Sequence, residues 1–221
     1  MPFDCRLSQP FNMLVSGPSK SGKTTFVSNL MKVSDDMFKI HPDYAILHYG
    51  NEQPLYHEMY KSKLIHEMIN FNDVDPNYQE IYNKILPYKE KNGSLIILDD
   101  TLTDIKPGFE KIFQVLGHHN KCSLIYLSQN LFYNSKTFRN LRLQLDYIVL
   151  MRNQIDGSQI RNLALQLCPG NHKYIIASYE AATETPFSYL FIDSGANSLK
   201  ELRLRSNIFP DEAPYCVYLE K

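Results

Sequence analysis

Short apolar runs alternate with amphipathic stretches along this chain. The runs cover residues 11–16, 44–48, 94–98, 123–127, 147–151 and 189–192. Most of them are continuously apolar, which is typical of strands that are buried on both faces of a parallel sheet. The pattern therefore predicts strands at these six places.

Apolar residues at helical spacing lie between the runs. A helix is predicted to begin at Lys23, because the apolar residues that follow recur at the spacing that keeps side chains on one helical face. They are Phe26, Val27, Leu30 and Met31.

Two further helices have recognisable ends. Asp75 and Pro76 resemble an N-cap and a first-turn proline, and an apolar stripe follows them. Asp156 and Gln159 resemble a capping box, and the helix after them is predicted to stop before Pro169. Two helices are predicted within residues 51–92, where the pattern is harder to assign.

Strands that alternate with helices predict an α/β fold, in which a mainly parallel central sheet has helices on both faces. The chain has 221 residues, and cores usually divide only at greater length. We therefore predict a single domain over residues 1–221.

Composition and charge narrow the classes of protein. Hydrophobic residues make up 43% and charged residues 21% of the chain, as in ordinary folded soluble proteins. No apolar run approaches the roughly 18 residues of a membrane-spanning helix, so a soluble intracellular protein without a membrane partner is expected. The net charge is -1, so DNA binding would require an assembly that concentrates basic residues.

The strongest chemical signal is the sequence Gly-Pro-Ser-Lys-Ser-Gly-Lys-Thr at residues 17–24, a P-loop pattern between a predicted strand and a predicted helix. The backbone N–H groups of such a loop and the helix N-terminus bind phosphate. Lys23 is predicted to reach the β- and γ-phosphates of a nucleoside triphosphate, and Thr24 to offer its hydroxyl to Mg²⁺. The predicted nucleotide-binding residues are Gly17, Pro18, Ser19, Lys20, Ser21, Gly22, Lys23, Thr24 and Thr25.

A second motif is an apolar strand that ends in two acids, Asp99 and Asp100, which is the form of a Walker B motif. Asp99 is predicted to hold Mg²⁺, directly or through water, and Asp100 to orient or deprotonate the attacking water. Alternatively, Asp100 only caps the following turn. Two acids favour hydrolysis over transfer of phosphate to a small molecule.

Polar residues beside two other predicted strands are further candidates. Gln129 follows the strand at 123–127, where its amide could hydrogen-bond the water or the γ-phosphate; the alternative is an ordinary turn with Asn130. The arginines that flank the strand at 147–151 are candidate fingers for a neighbouring subunit's nucleotide, although each singly also suits a surface position. They are Arg139, Arg142 and Arg152.

With these motifs the chain resembles the viral genome-packaging ATPases of the FtsK-HerA superfamily, in particular those of polinton-like and adintovirus-like elements and their poxvirus-type relatives. The resemblance runs through residues 10–24, 95–100, 124–130, and 138–150, and continues less distinctly to about Asp193. One departure is Ser19-Lys20, where relatives often have Thr-Gly. The P-loop is common to many families, so the combination of motifs carries the resemblance.

The resemblance implies a P-loop NTPase fold of the RecA/FtsK-like order, with an additional strand between the P-loop strand and the Walker B strand. It implies that Gln129 is a polar sensor at the tip of that strand. It also implies ATP as fuel, double-stranded DNA as the moving substrate, and a homo-oligomeric ring of six or five subunits. The expected partner is a capsid or portal-vertex protein inside the host cell.

Two other classes of function are compatible with the P-loop. A P-loop kinase or a helicase-type NTPase of another superfamily is one, although the sequence reveals no acceptor pocket or arginine-bearing lid. A nucleotide-gated interaction protein without sustained turnover is the other. Stimulation of ATP hydrolysis by DNA would distinguish the motor from both of these classes.

Overall fold

The computed structural model describes residues 4–70, 78–99, 120–132, 143–196, 198–212 and 214–220. Its strands are β1 (Asn12–Ser16), β2 (Tyr44–Tyr49), β3 (Glu67–Asn70), β4 (Ser94–Asp99), β5 (Cys122–Ser128), β6 (Tyr147–Met151), β7 (Tyr189–Asp193), β8 (Leu204–Ser206) and β9 (Cys216–Tyr218). Its α-helices are α1 (Lys23–Lys32), α2 (Ser34–Met37), α3 (Pro54–Lys61), α4 (Tyr78–Ile85), α5 (Gly157–Leu167) and α6 (His172–Ala182).

The chain divides into two compact units, and β1 contributes to both. The first unit comprises Met1–Met13 and Thr24–Leu127, and the second comprises Leu14–Lys23 and Ser128–Lys221. The strand order is β3-β2-β4-β5-β1 in the first unit and β1-β6-β7-β8-β9 in the second. The single domain over residues 1–221 stays a prediction.

The first unit contains the parallel strands. β2 pairs in parallel with β3 and β4, and β4 pairs in parallel with β5. β5 lies between β4 and β1. The amide of Leu124 donates to the carbonyl of Phe11 at 2.8 Å, and that of Gly17 to the carbonyl of Ser128 at 3.1 Å. Residue numbers rise together along the two strands, so β5 and β1 are parallel, and the predicted additional strand is confirmed.

The second unit contains antiparallel pairs. β7 pairs antiparallel with β6, β8 with β7, and β9 with β8. One helix between two neighbouring strands returns the chain to the end of the sheet where the first strand began, so the second strand runs parallel to the first. Two helices, α5 and α6, lie between β6 and β7. The chain therefore enters β7 from the opposite end, and β7 runs antiparallel to β6. From sequence, the apolar run at residues 189–192 resembles those of the parallel strands. It therefore does not indicate that β7 is antiparallel.

The buried faces follow the predicted apolar patterns. The apolar face of α1 is at most 3% exposed, and the residues of β1, β4, β5 and β6 are buried throughout. Both helices predicted within residues 51–92 are present as α3 and α4, but that prediction omits β3. The predicted cap at Asp75 and Pro76 lies outside the described residues.

Helix α5 has the predicted ends. The carboxylate of Asp156 accepts from the amides of Ser158 and Gln159, and α5 ends at Leu167, before Pro169. The side chain of Gln159 donates to the Asp156 carboxylate at 2.7 Å, but the Asp156 amide donates to the side chain of Asn153 at 3.2 Å. The N-cap is therefore confirmed, whereas the reciprocal bond of a capping box is not formed. All four cysteines are free thiols. None of the described helices is long and apolar enough to cross a membrane.

Candidate nucleotide-binding site

The loop between β1 and α1 has the backbone of a phosphate cradle. Lys20 and Gly22 have positive φ angles of 62° and 100°, and alternating backbone conformations of this kind turn successive N–H groups toward one concavity. Gly17 must lack a side chain, because a Cβ there would lie 2.6 Å from the Cβ of Met151. The loop is therefore shaped for an anion, and its first residue packs directly on β6.

Lys23 places its charge inside this loop. Its side chain is 7% exposed, and its ammonium donates to the carbonyls of Gly17 at 2.9 Å and Pro18 at 3.0 Å. The hydroxyl of Ser21 is buried and has no hydrogen-bond partner among the described residues. Buried donors of this kind suit phosphate oxygens, which accept strong hydrogen bonds from charged groups.

Thr24 and Asp99 are brought together as the sequence predicts. Thr24 is the second residue of α1 and Asp99 the last of β4. The Thr24 hydroxyl donates to Oδ2 of Asp99 at 3.0 Å, and Asp99 is 2% exposed. A carboxylate and a hydroxyl at the end of the phosphate loop are oxygen ligands of the kind that Mg²⁺ uses. The residues present therefore fit a magnesium site.

Tyr56 is a residue of this site that the sequence patterns do not identify. Its hydroxyl donates to the same Oδ2 of Asp99 at 2.5 Å, and its side chain is 1% exposed. The backbone amide of Gly50 also donates to the carbonyl of Asp99 at 3.2 Å. The connection from β2 to α3 is thus bonded to Asp99 at both ends. In sequence, Tyr56 is only one member of the apolar face of a short helix.

The end of β5 forms a turn next to the start of the phosphate loop. The hydroxyl of Ser128 donates to the carbonyl of Asn130 at 2.7 Å, and the Gln159 side chain accepts from the amide of Leu131 at 2.6 Å. Asn130 therefore belongs to an ordinary turn after β5, which is the alternative interpretation of these polar residues. Gln129 is exposed at the tip of the strand, and its role as a sensor stays a prediction.

Of the remaining predicted residues outside the phosphate loop, the structure describes only Arg152. Arg152 directly follows β6, is half-buried, and donates its amide to the carbonyl of Ser188 at 3.2 Å. Asp100, Arg139 and Arg142 lie outside the described residues. Within the described ranges, no group of three or more His, Cys, Asp or Glu side chains could hold a metal ion.

A family model described as "Poxvirus A32 protein" matches residues 3–165. The chain belongs to this family. The predicted relationship to poxvirus-type genome-packaging ATPases is therefore confirmed, and the protein is a viral genome-packaging ATPase. No curated protein matches the sequence.

Solved structures confirm the fold of a P-loop NTPase for this Poxvirus A32 family member. The genome-packaging NTPase B204 of Sulfolobus turreted icosahedral virus 2, in complex with ATP-γS, is 15% identical with a TM-score of 0.57, over 83% of this chain and 92% of that one. The cytoplasmic domain of the Type VII secretion ATPase EccC of Thermomonospora curvata is 16% identical with a TM-score of 0.58, over 85% of this chain and 24% of that one. At such identities the likeness establishes the fold alone.

Proposed function

We propose that this family member is the ATP-hydrolysing subunit of a motor that moves double-stranded DNA during genome packaging. The observation that carries the proposal is the contact between the Thr24 hydroxyl and the Asp99 carboxylate at 3.0 Å. Thr24 follows Lys23 directly, so the phosphate loop continues without a break into a pair of residues that suits Mg²⁺. A phosphate cradle joined to a metal site is the arrangement that phosphoryl transfer requires.

Each residue of the site is assigned one task. The backbone of residues 17–22 cradles the phosphates, and Lys23 exchanges its bonds to the loop carbonyls for bonds to phosphate oxygens. Thr24 and Asp99 hold Mg²⁺, which supplies charge that offsets the negative charge shifting as the γ-phosphoryl leaves. Asp100 directs the attacking water, and Gln129 responds to the γ-phosphate.

Assembly completes the proposed motor. A ring of six or five copies brings an arginine from the segment that contains Arg139 and Arg142 to a neighbour's nucleotide. The ring also concentrates basic side chains around DNA, which a monomer with a net charge of -1 does not do. A capsid or portal-vertex protein is the partner that holds the ring at the capsid.

Steady-state ATP hydrolysis with and without duplex DNA tests the proposal. We expect DNA to stimulate hydrolysis, and Lys23→Ala to abolish it. Phosphorylation of a small acceptor would instead indicate a kinase, and ATP binding without turnover would indicate a nucleotide-gated interaction protein.

The Lys23→Ala variant requires a check of its fold. From sequence, Lys23 is expected to be exposed to the phosphates and to contribute little to the core, yet the structure buries it. Lys32→Ala, an exposed lysine in the last turn of the same helix, is the matched control. Normal hydrolysis by a folded Lys23→Ala protein would overturn the proposal.

A further inference from the structure

A strained turn precedes β7. The carbonyl of Thr185 accepts from the amide of Ser188 at 3.4 Å and from its hydroxyl at 2.5 Å. Pro186 occupies the second position of this turn, and Phe187 the third, with a φ of 65°. This is the pattern of a type II turn, whose third position normally has glycine or asparagine. A phenylalanine in this conformation is an outlier, and such outliers cluster at binding and active sites.

The aromatic ring of Phe187 lies beside the phosphate loop. A Cβ added to Gly22 would be 3.5 Å from Cδ1 of Phe187 and 3.8 Å from its Cβ. Phe187 is nevertheless 68% exposed, more than any other aromatic side chain in the described part of the chain. Burial in the core therefore does not account for an aromatic residue at this strained position.

The turn is fixed to the strand that supports the loop. Tyr189, the first residue of β7, pairs with Met151 of β6, and Ser188 accepts the amide of Arg152. Met151 is also the residue on which Gly17 packs. The ring of Phe187 and the phosphate loop are thus held by the same end of β6, which gives the ring a defined position relative to bound phosphates.

We propose that Phe187 is the platform on which the base of the bound nucleotide stacks. The proposal rests on the binding of ATP by the phosphate loop and adds the site of its base. An exposed aromatic ring at a fixed position next to the phosphates supplies a flat apolar surface for a base. Every base has a π-face, so stacking of this kind contributes affinity and little discrimination between bases.

Phe187→Gly is the main test, because glycine adopts a φ of 65° without strain. We expect ATP binding in the presence of Mg²⁺, measured by calorimetry, to weaken about 5- to 150-fold. Binding of tripolyphosphate, which has no base, should not change, and Phe187→Tyr should keep the affinity for ATP. Lys63→Gly relieves the same kind of backbone strain, at a φ of 58° after α3, and should leave ATP binding unchanged.

A second measurement uses the absence of tryptophan from the sequence. Phe187→Trp introduces a single indole, and we expect its fluorescence to respond to ATP but not to tripolyphosphate. Equal ATP affinities of Phe187→Gly and the unaltered protein, or equal responses of the indole to both ligands, would overturn the proposal. Failure of the unaltered protein to bind either ligand would instead count against the phosphate site itself.

Discussion

Asp99, the last residue of β4, and Asp100, which follows it in sequence, are expected to have separate effects when each is neutralised. Asp99 accepts from Thr24 and is buried, so Asp99→Asn should weaken Mg²⁺ binding itself. Asp100→Asn should keep ATP and Mg²⁺ binding but lose most hydrolysis, because its proposed task is performed on the water. Titration of ATP binding with Mg²⁺, together with steady-state hydrolysis, measures both. Equal losses of Mg²⁺ affinity in the two variants would refute this division.

Tyr56 is expected to strengthen Mg²⁺ binding by holding the carboxylate of Asp99 in place. Partners that orient a metal-binding side chain are commonly worth about 10- to 100-fold in metal affinity, so Tyr56→Phe should raise the Mg²⁺ concentration that half-maximally tightens ATP binding by about that factor. ATP binding in EDTA should not change. Tyr60→Phe, at a residue 51% exposed on the same helix, is the control.

A double-mutant comparison separates this effect from a general loss of packing. If Tyr56 acts through the carboxylate, Tyr56→Phe should have little further effect on Mg²⁺ dependence in the Asp99→Asn background. The same loss in both backgrounds would mean that the hydroxyl acts elsewhere.

His48 in β2 is expected to make stability depend on pH. Burial, with a contribution from the positive charge of Lys84, lowers its pKa from 6.5 to about 4, against the opposing effect of Glu67. The unfolded chain therefore takes up a proton first, and stability falls as the pH drops from about 6.5 to about 4, by at most about 3 kcal/mol. Urea unfolding between pH 7 and pH 4.5 measures this loss. His48→Gln should flatten it, and an unchanged pH dependence would contradict the assignment.

The phosphate loop is the residue cluster that sequence predicts best, because its residues are consecutive and its backbone conformation follows from local composition. Thr24 and Asp99 are also predictable as partners, since each belongs to a motif with a fixed place at a strand end. Tyr56 and Phe187 are not predictable in this way. Tyr56 is 43 residues from Asp99 in sequence, and only tertiary structure brings Phe187 next to Gly22.

Helix α6 supports the end of β6 through Tyr179. Its hydroxyl donates to the carbonyl of Met151 at 3.1 Å and accepts the amide of Asn153 at 2.8 Å. Tyr179→Phe leaves both backbone groups without this partner, so the free energy of unfolding should fall by about 1–3 kcal/mol. Urea denaturation measures the change. Tyr174→Phe on the same helix removes one bond, to the carbonyl of Tyr218, and should cost less; the reverse order would contradict this role of Tyr179.

Strands were predictable where they are long, buried and apolar, as β1, β4 and β5 are. β3 is half-buried along its whole length, and β8 and β9 have three residues each, so none of them shows a clear apolar pattern. The direction of β7 depends on the number of helices that precede it. Local patterns therefore identify the parallel strands beside the site and miss the strands that are half-buried or very short.

At the scale of the whole molecule, one component of the proposed motor is expected to come from a neighbouring subunit. Lys23, Thr24 and Asp99 supply a cradle and a metal site, but phosphoryl transfer also benefits from positive charge on the far side of the γ-phosphate. Arg139 and Arg142 precede β6 in sequence, and from sequence Arg142 is the preferred candidate to act on a neighbour's nucleotide. An arginine finger is worth about 10³- to 10⁵-fold in rate, or roughly 4–7 kcal/mol of barrier.

Mixing two inactive subunits tests whether this arginine acts across an interface. Arg142→Ala subunits keep Lys23, and Lys23→Ala subunits keep Arg142, so a mixed ring contains places where an intact phosphate loop meets an intact arginine. We expect neither variant alone to hydrolyse ATP at more than a small fraction of the normal rate, and the mixture to recover activity. Arg161→Ala, at an exposed arginine of α5, should be active by itself. Because each variant lacks a different half of the site, no activity in rings shown to be mixed would mean that Arg142 acts within its own subunit or not at all.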